Sequence, residues 1–249
     1  MVSEPSRAQL FVDGEPVLSF VPIEHDGHPE ADDAVPMAEP DVVVPAVCRQ
    51  LEDCWFRSPD DGLTDALIAG GATVVRHSHV MTCDVTRTQR PRTGATVSIV
   101  PIGASSIELA ELNVRAYPPD HVDFETNDAT EAQEAIDAML SGTLIGPFMT
   151  SASAMVTDAG RPVAVLIINR MPDHAIAGGP WVTELFRDPD PAYRGLGARL
   201  LERAIRTLRS EGETSLSLAV TEGNPALEVY RRSGFDLVAS RRKLLIPAT

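Results

Sequence analysis

Gly195 and Gly197 stand two residues apart in WVTELFRDPDPAYRGLGARLLERAI (residues 181–205), where a strand-like run passes through a loop directly into an amphipathic stretch. A helix opening there leaves first-turn N–H groups without intrahelical partners, and its dipole adds partial positive charge. Residues without side chains let a phosphate reach those donors. The backbone of Gly195, Leu196, Gly197 and Ala198 therefore has the makings of an anion cradle. Arg194 and Arg199 flank it and can add charge-assisted contacts. The same Gly-x-Gly also suits a plain turn. A dinucleotide fingerprint needs a third glycine where Leu200 stands, and no Gly-Lys-Ser/Thr occurs.

Two other groupings offer chemistry. AYPPDHVDFE (residues 116–125) gathers Tyr117, Asp120, His121 and Asp123 in a proline-broken stretch, a set that can select a cationic amine or form an ordinary polar loop. His77, His79 and Cys83 share one face of a strand by alternation. They are metal-ligand types, but no fourth ligand is apparent, and the expectation is no metal site.

The elements that must position these residues follow from periodicity. Leu201, Ala204, Ile205 and Leu208 fall at i, i+3, i+4 and i+7, which predicts a helix over 197–210. Further helices are expected over 107–117, 131–140 and 225–233, the last with Pro225 at its first turn. Strands are expected over 98–102, 153–156, 163–169, 181–186, 215–220 and 235–246. Nearer the N-terminus, Gln9–Phe11 and Val17–Pro22 flank Asp13-Gly14, a hairpin signal. Residues 42–56 have helical spacing, and 71–85 read as strand. The acidic, proline-interrupted stretch 25–41 reads as a loop, and Thr86 to Gly94 as a linker. These breaks divide the chain into an N-terminal unit over 1–93 and a C-terminal unit over 94–249. Together they give an α/β layout with a mixed sheet.

TEGNPALEVYRRSGFDLV (residues 221–238) sets Asn224, Ala226, Tyr230 and Gly234-Phe235 at a defined spacing after the glycine loop. With E-L-F-x-D-P before that loop, residues 97–249 resemble the GNAT superfamily, whose members carry a Q/R-x-x-G-x-G/A loop followed by N-x-x-A-x-x-L-Y-x-x-x-G-F. The resemblance implies a mixed, mostly antiparallel sheet flanked by helices, with a smaller α/β unit preceding it in this chain. It implies acetyl-CoA or another acyl-CoA as co-substrate, its diphosphate at the 195–198 loop and its pantetheine paired with the backbone of Leu185, Phe186 and Arg187. It further implies direct attack by an amine on the thioester, with Tyr230 as general acid; a core aromatic is the plainer reading of that tyrosine. Glu184, just before the pantetheine-pairing residues, is the best candidate base, and Glu222 a weaker one. Tyr117, Asp120 and His121 fall where the family shapes its acceptor pocket. Two departures stand out: Ala192 replaces the loop's leading Gln or Arg, and Asn224 lies one residue closer to the tyrosine than the family asparagine that binds pantetheine. A non-catalytic acyl-CoA-binding module is the alternative, and a nucleotide-binding domain a third.

The N-terminal unit carries an echo of the C-terminus. AGGATVVRHSHVM (69–81) lies over RSGFDLVASRRKL (232–244), with Gly71 against Gly234 and Leu67 at the place of the tyrosine. No glycine loop precedes it, so a degenerate second copy is one reading and coincidence the other.

Composition bounds the partners. A net charge of −15 excludes non-specific nucleic-acid binding, which needs cations to displace phosphate counterions. From Arg187 onward eleven Lys/Arg face eight Asp/Glu, a mildly basic end on an acidic chain, suited to a polyanionic ligand held locally and a cationic amine partner. No apolar run approaches the ~18 residues of a membrane span. MVSEPSRAQL shows no signal peptide, and Cys48, Cys54 and Cys83 read as free thiols, so a cytoplasmic location is expected. The acceptor, metabolite or peptide, is left open.

Overall fold

A computed structural model of the chain describes residues 6–25, 27–87, 98–172 and 177–248. Two compact units emerge, Met1–Ser78 with Ser240–Thr249, and His79–Ala239. The division is thus discontinuous in sequence, unlike a single cut near residue 93. The expected linker lies outside the described residues from position 88 onward.

In the first unit, β1 (Ala8–Val12) and β2 (Glu15–His25) form the expected hairpin. Its turn residues Asp13 and Gly14 both take positive φ, 52° and 87°, which matches the right-handed twist of the strands. β3 (His28–Pro36) pairs antiparallel with β2, α1 (Pro40–Gln50) follows, and β4 (Trp55–Arg57) pairs parallel with β3. α2 (Asp61–Ala69) is capped by Asp60, which accepts from the Leu63 N–H at 2.8 Å. The end of the last strand, β11 (Phe235–Leu245), lies antiparallel to β4 through Lys243, Leu244 and Leu245. Leu18, Ala34, Val43, Val47, Phe56, Leu63, Leu67 and Leu244 form one buried core.

Two expectations fail here. Residues 28–36 are a strand and not part of a loop: Ala31 and Ala34 enter the core, while the buried Glu30 carboxylate meets Arg57 at 2.7 Å and Lys243 at 2.8 Å. Cations distant in sequence offset the acidity that makes the stretch look like a loop. The helix expected over 42–56 ends at Gln50, because Asp53 turns the chain at φ 57° and Trp55–Arg57 join the sheet.

In the second unit the strand order is β5 (Thr73–Asp84, from His79), β10 (Ser215–Thr221), β9 (Gly179–Arg187), β8 (Arg161–Met171), β7 (Ala154–Asp158) and β6 (Ile99–Val100). The pairs from β9 to β6 are antiparallel, and β9 with β10 is parallel. β8 shows why both faces need helices. Ala164, Leu166 and Ile168 pack under α5 (Leu196–Ser210), while Val165 and Ile167 pack under α3 (Ser106–Ala116) and α4 (Ala129–Ser141). α3 opens on Ser105, whose N–H and hydroxyl donate to Glu108 at 2.9 and 2.7 Å. α6 (Ala226–Arg232) completes the α5 side. No helix among the described residues is long and apolar enough to cross a membrane.

Candidate active site

The glycine loop does open α5. Gly195 is the residue before the helix at φ +89°, in the left-handed region, and a Cβ added there would meet nothing within 4 Å. Leu196 and Ala198 are buried, so what they can offer a ligand is backbone N–H. Gly197 sits over Leu185, its built Cβ 3.7 Å from that side chain, which ties the helix start to β9. The approach is held from two sides. Asp190 accepts from the Ala192 N–H at 2.8 Å, and the Tyr193 hydroxyl donates to Asp158 at 2.7 Å. Arg194 is exposed beside the cradle. These residues fit a diphosphate: open space at the glycine, unencumbered amides and the positive end of a fifteen-residue helix.

β9 and β10 pair only at Trp181–Ser217 and Val182–Leu218. Beyond Val182 the ladder between these strands has no further pair, and β10 ends at Thr221, so the backbone of Leu185, Phe186 and Arg187 is not paired with β10. A strand edge of this kind can accept an extended ligand as an added strand. On the opposite side β9 stays paired with β8, Ile168 to Val182 and Ile167 to Glu184, leaving Thr183 as an extra residue. This β-bulge governs which way the side chains face. Val182 and Leu185 both pack on the α5 side, whereas Phe186 enters the α3–α4 core.

Glu184 meets residues from a distant segment. The Tyr117 hydroxyl, just past the end of α3, donates to the Glu184 carboxylate at 3.2 Å. Tyr117 also packs edge-on against His121 and Phe186. Tyr230 on α6 is 7 % exposed and packs against Phe235 at 5.8 Å between centroids. Burial pushes the Tyr230 hydroxyl well above the usual phenol range, and the Glu184 and Asp123 carboxylates push it further. Tyr117 is raised by the same causes, burial first. Both tyrosines therefore stay protonated throughout the physiological range.

Tyr117 contacts His121, Glu184 and Phe186, the Tyr230 hydroxyl feels the Glu184 and Asp123 charges from the α5-side core, and Asp120 is left exposed on its turn. Asp123 joins them: its N–H donates to His121 Nδ1 at 3.1 Å, and its carboxylate accepts from the Asn224 amide. Asn224 Oδ1 in turn accepts from the Ala226 N–H at 2.7 Å. Asn224 thus ties the loop after α3 to the start of α6, with both ends of its amide engaged inside the protein. Glu222 pairs with His79, and the Cys83 thiol is buried with its Sγ 3.8 Å from the Ser233 carbonyl. Sequence reasoning missed the Tyr117–Glu184 bond and the buried Asn169 on β8, which accepts from Thr183 at 2.7 Å. A polar residue inside the apolar run VAVLIIN was the available signal.

A helix-borne amide cradle, a parted pair of parallel strands and a tyrosine–carboxylate cluster follow one another along residues that match a known family. Residues 108–235 match the acetyltransferase (GNAT) family. This chain belongs to the GNAT acetyltransferase family. Over part of its length the chain is similar to two mycothiol acetyltransferases. One, from Clavibacter sepedonicus, is 37 % identical over 90 residues, which span 32 % of this chain and 30 % of that protein. The other, from Clavibacter michiganensis subsp. michiganensis, is 38 % identical over 82 residues, spanning 29 % and 27 %. The chain thus matches under a third of the length of these curated relatives. Among solved structures, a GCN5-related N-acetyltransferase from Sphaerobacter thermophilus superposes with TM-score 0.67 at 14 % identity, over 93 % of this chain and 77 % of that one. A tandem GNAT protein from the clavulanic acid biosynthesis pathway superposes with TM-score 0.57 at 15 % identity, over 97 % and 83 %. At these identities the likeness is one of fold, and the GNAT fold, a mixed and mostly antiparallel sheet flanked by helices, is what the chain has.

Proposed function

We propose that the chain transfers an acetyl or other short acyl group from acyl-CoA to a primary amine by direct attack. The observation that carries this reading is the parting of β9 from β10 directly beside the cradle at Gly195–Ala198. A thioester whose diphosphate lies at the α5 amides and whose pantetheine adds to Leu185–Arg187 brings its carbonyl towards Glu184 and Tyr230. The neutral amine attacks the carbonyl carbon, and its nitrogen gives up one proton to Glu184, either directly or through one water. The C–S bond then breaks, and the departing thiolate takes the Tyr230 proton. One proton passes from Glu184 to Tyr230 to restore both groups, and the Tyr117 hydroxyl, bonded to Glu184, is placed to take part. Glu184 and Asp123 draw a cationic amine towards the site; it releases its ammonium proton to solvent water before attack, so the neutral amine is the form that reacts. Gly195, Leu196, Gly197 and Ala198 bind through backbone, and Arg194 adds charge to the phosphates. Asn224 acts by holding Asp123 and α6, which fits its departure from the usual family spacing.

The first unit reads as a decayed copy of the second. Each has three antiparallel strands, a helix, a fourth strand parallel to the third and a second helix, in that order. In the first unit the connection before its helix is short, with Glu39 at the cap, Pro40 at the first turn and Asp41 following. A proline removes one amide, and two carboxylates occupy the dipole position an anion needs. Ser58 closes what would be the strand gap by donating to the Ala34 carbonyl at 2.5 Å.

Thiol release from acetyl-CoA with a panel of primary amines tests the reading. Wild type turns over at least one amine, and Tyr230→Phe loses ~10²-fold or more in kcat while still binding acetyl-CoA. The engaged Asn224 and the missing leading Gln or Arg at Ala192 favour a second reading, an acyl-CoA-binding module. Tight binding of acetyl-CoA with no turnover across the panel selects it.

A further inference from the structure

Asn169 is fully buried on β8, and its carboxamide has three bonds within the protein. Nδ2 donates to the carbonyls of Met139, near the end of α4, and Gly146, each at 2.8 Å. Oδ1 accepts from the Thr183 hydroxyl at 2.7 Å. Thr183 is the unpaired residue of the β9 bulge, between Val182 and Glu184.

The bulge decides where Glu184 points. In an unbroken strand, residues two apart share a face, so Val182 on the α5 side would bring Glu184 to that side too. The cores demand otherwise, since Val182 and Leu185 both pack under α5 and Phe186 packs under α3 and α4. One residue must be accommodated between Val182 and Leu185. The apolar pattern fixes that requirement but not the conformation that meets it, because neither Thr183 nor Glu184 is anchored by core packing. Asn169 supplies the anchor. It is locked to α4 and to Gly146, where a built Cβ would come within 2.3 Å of the Arg170 carbonyl, so its Oδ1 is a fixed acceptor.

We propose that the Thr183–Asn169 hydrogen bond sets the conformation of the β9 bulge and thereby aims the Glu184 carboxylate at Tyr117 and the acceptor amine. Both are positioning residues, acting through Glu184. This rests on the acyl-transfer reading for its kinetic consequence but not for its structural one. Thr183→Val keeps the branched shape and removes the hydroxyl, and Thr183→Ser keeps the hydroxyl. Should Thr183→Val fold poorly, Thr183→Ala replaces it with the same expectation.

Two readouts apply. In hydrogen exchange of the 181–187 segment, the hydroxyl-less variant exchanges at least about tenfold faster while Thr183→Ser stays near wild type. In thiol release with the most active primary amine of the panel, kcat/KM falls ~100-fold for the hydroxyl-less variant, chiefly in kcat, as misplacement of a reacting group predicts. Thr183→Ser stays within about threefold on the same measure. Unchanged exchange in the hydroxyl-less variant overturns the proposal, as does equal impairment of the serine and valine variants. If wild type turns over no amine, the acyl-transfer reading fails, and the exchange comparison still decides the bulge.

Discussion

Gly195→Ala separates the energetics of the cradle from those of the fold. At φ +89° a residue with a Cβ is strained, and since that Cβ meets no atom within 4 Å, the cost is purely backbone, ~1–2 kcal/mol. In a chain of this size that lowers Tm by about 2–8 °C. The strain is relieved by rotating the residue towards negative φ, which swings the N–H groups of Leu196 and Gly197 out of convergence. A hydrogen bond to a charged group contributes about 1.5–3 kcal/mol, so losing the aim of one amide weakens coenzyme A by ~10–100-fold. The control lies at the other end of the same helix. Gly212 has φ +84° and equally open space, so Gly212→Ala carries the same backbone cost with no ligand nearby. Thermal melts and calorimetric titration of coenzyme A into both variants are the assay. Comparable losses of Tm with coenzyme A weakened only in Gly195→Ala are expected. If both lose stability and both bind coenzyme A like wild type, the diphosphate does not sit on the α5 amides and the placement is wrong.

Other consequences follow from the same structure. Lys243→Met leaves the buried Glu30 carboxylate with Arg57 as its one cation among the described residues and costs ~3 kcal/mol in urea unfolding, whereas adding Glu30→Leu recovers at least half of it, because a buried pair is dearer to break than to replace. Equal destabilisation by the single and double variants would count against that account. Tyr117→Phe removes the donor to Glu184 and lowers kcat/KM for the amine by ~10-fold, with coenzyme A affinity unchanged by calorimetry; an unaltered kcat/KM refutes the relay. Burial pushes the Cys83 thiol up to about 11, Asp84 and Asp236 adding to it. Its protonated form is favoured in the folded state, so its contribution is intact below the free-thiol pKa near 9 and is lost as pH rises towards about 11. Cys83→Ala therefore flattens the fall of the unfolding midpoint between those values, and an unchanged slope contradicts the linkage.

Much of the second unit was legible because its signals are local. The stripe Leu201, Ala204, Ile205 and Leu208 announces α5, and Gly195 marks its start. The same holds for the Asp13-Gly14 hairpin and for the turn leading into Phe235. The first unit was less legible where charge misled. Glu30 and Asp32 look like loop residues until Arg57 and Lys243 are placed across from them.

The residue order alone determined the succession of elements, the glycine-led helix and the tyrosine segment, since helix and strand periods and unpaired amides act over a few neighbours. Only the folded chain decided that Tyr117 reaches Glu184, that Asn224 holds Asp123, and that Asn169 grips Thr183. It also decided that residues after Ser240 complete the first unit's sheet. Such pairings depend on strand register and on a single inserted residue in β9, which local periodicity does not encode because a one-residue shift reverses every face beyond it.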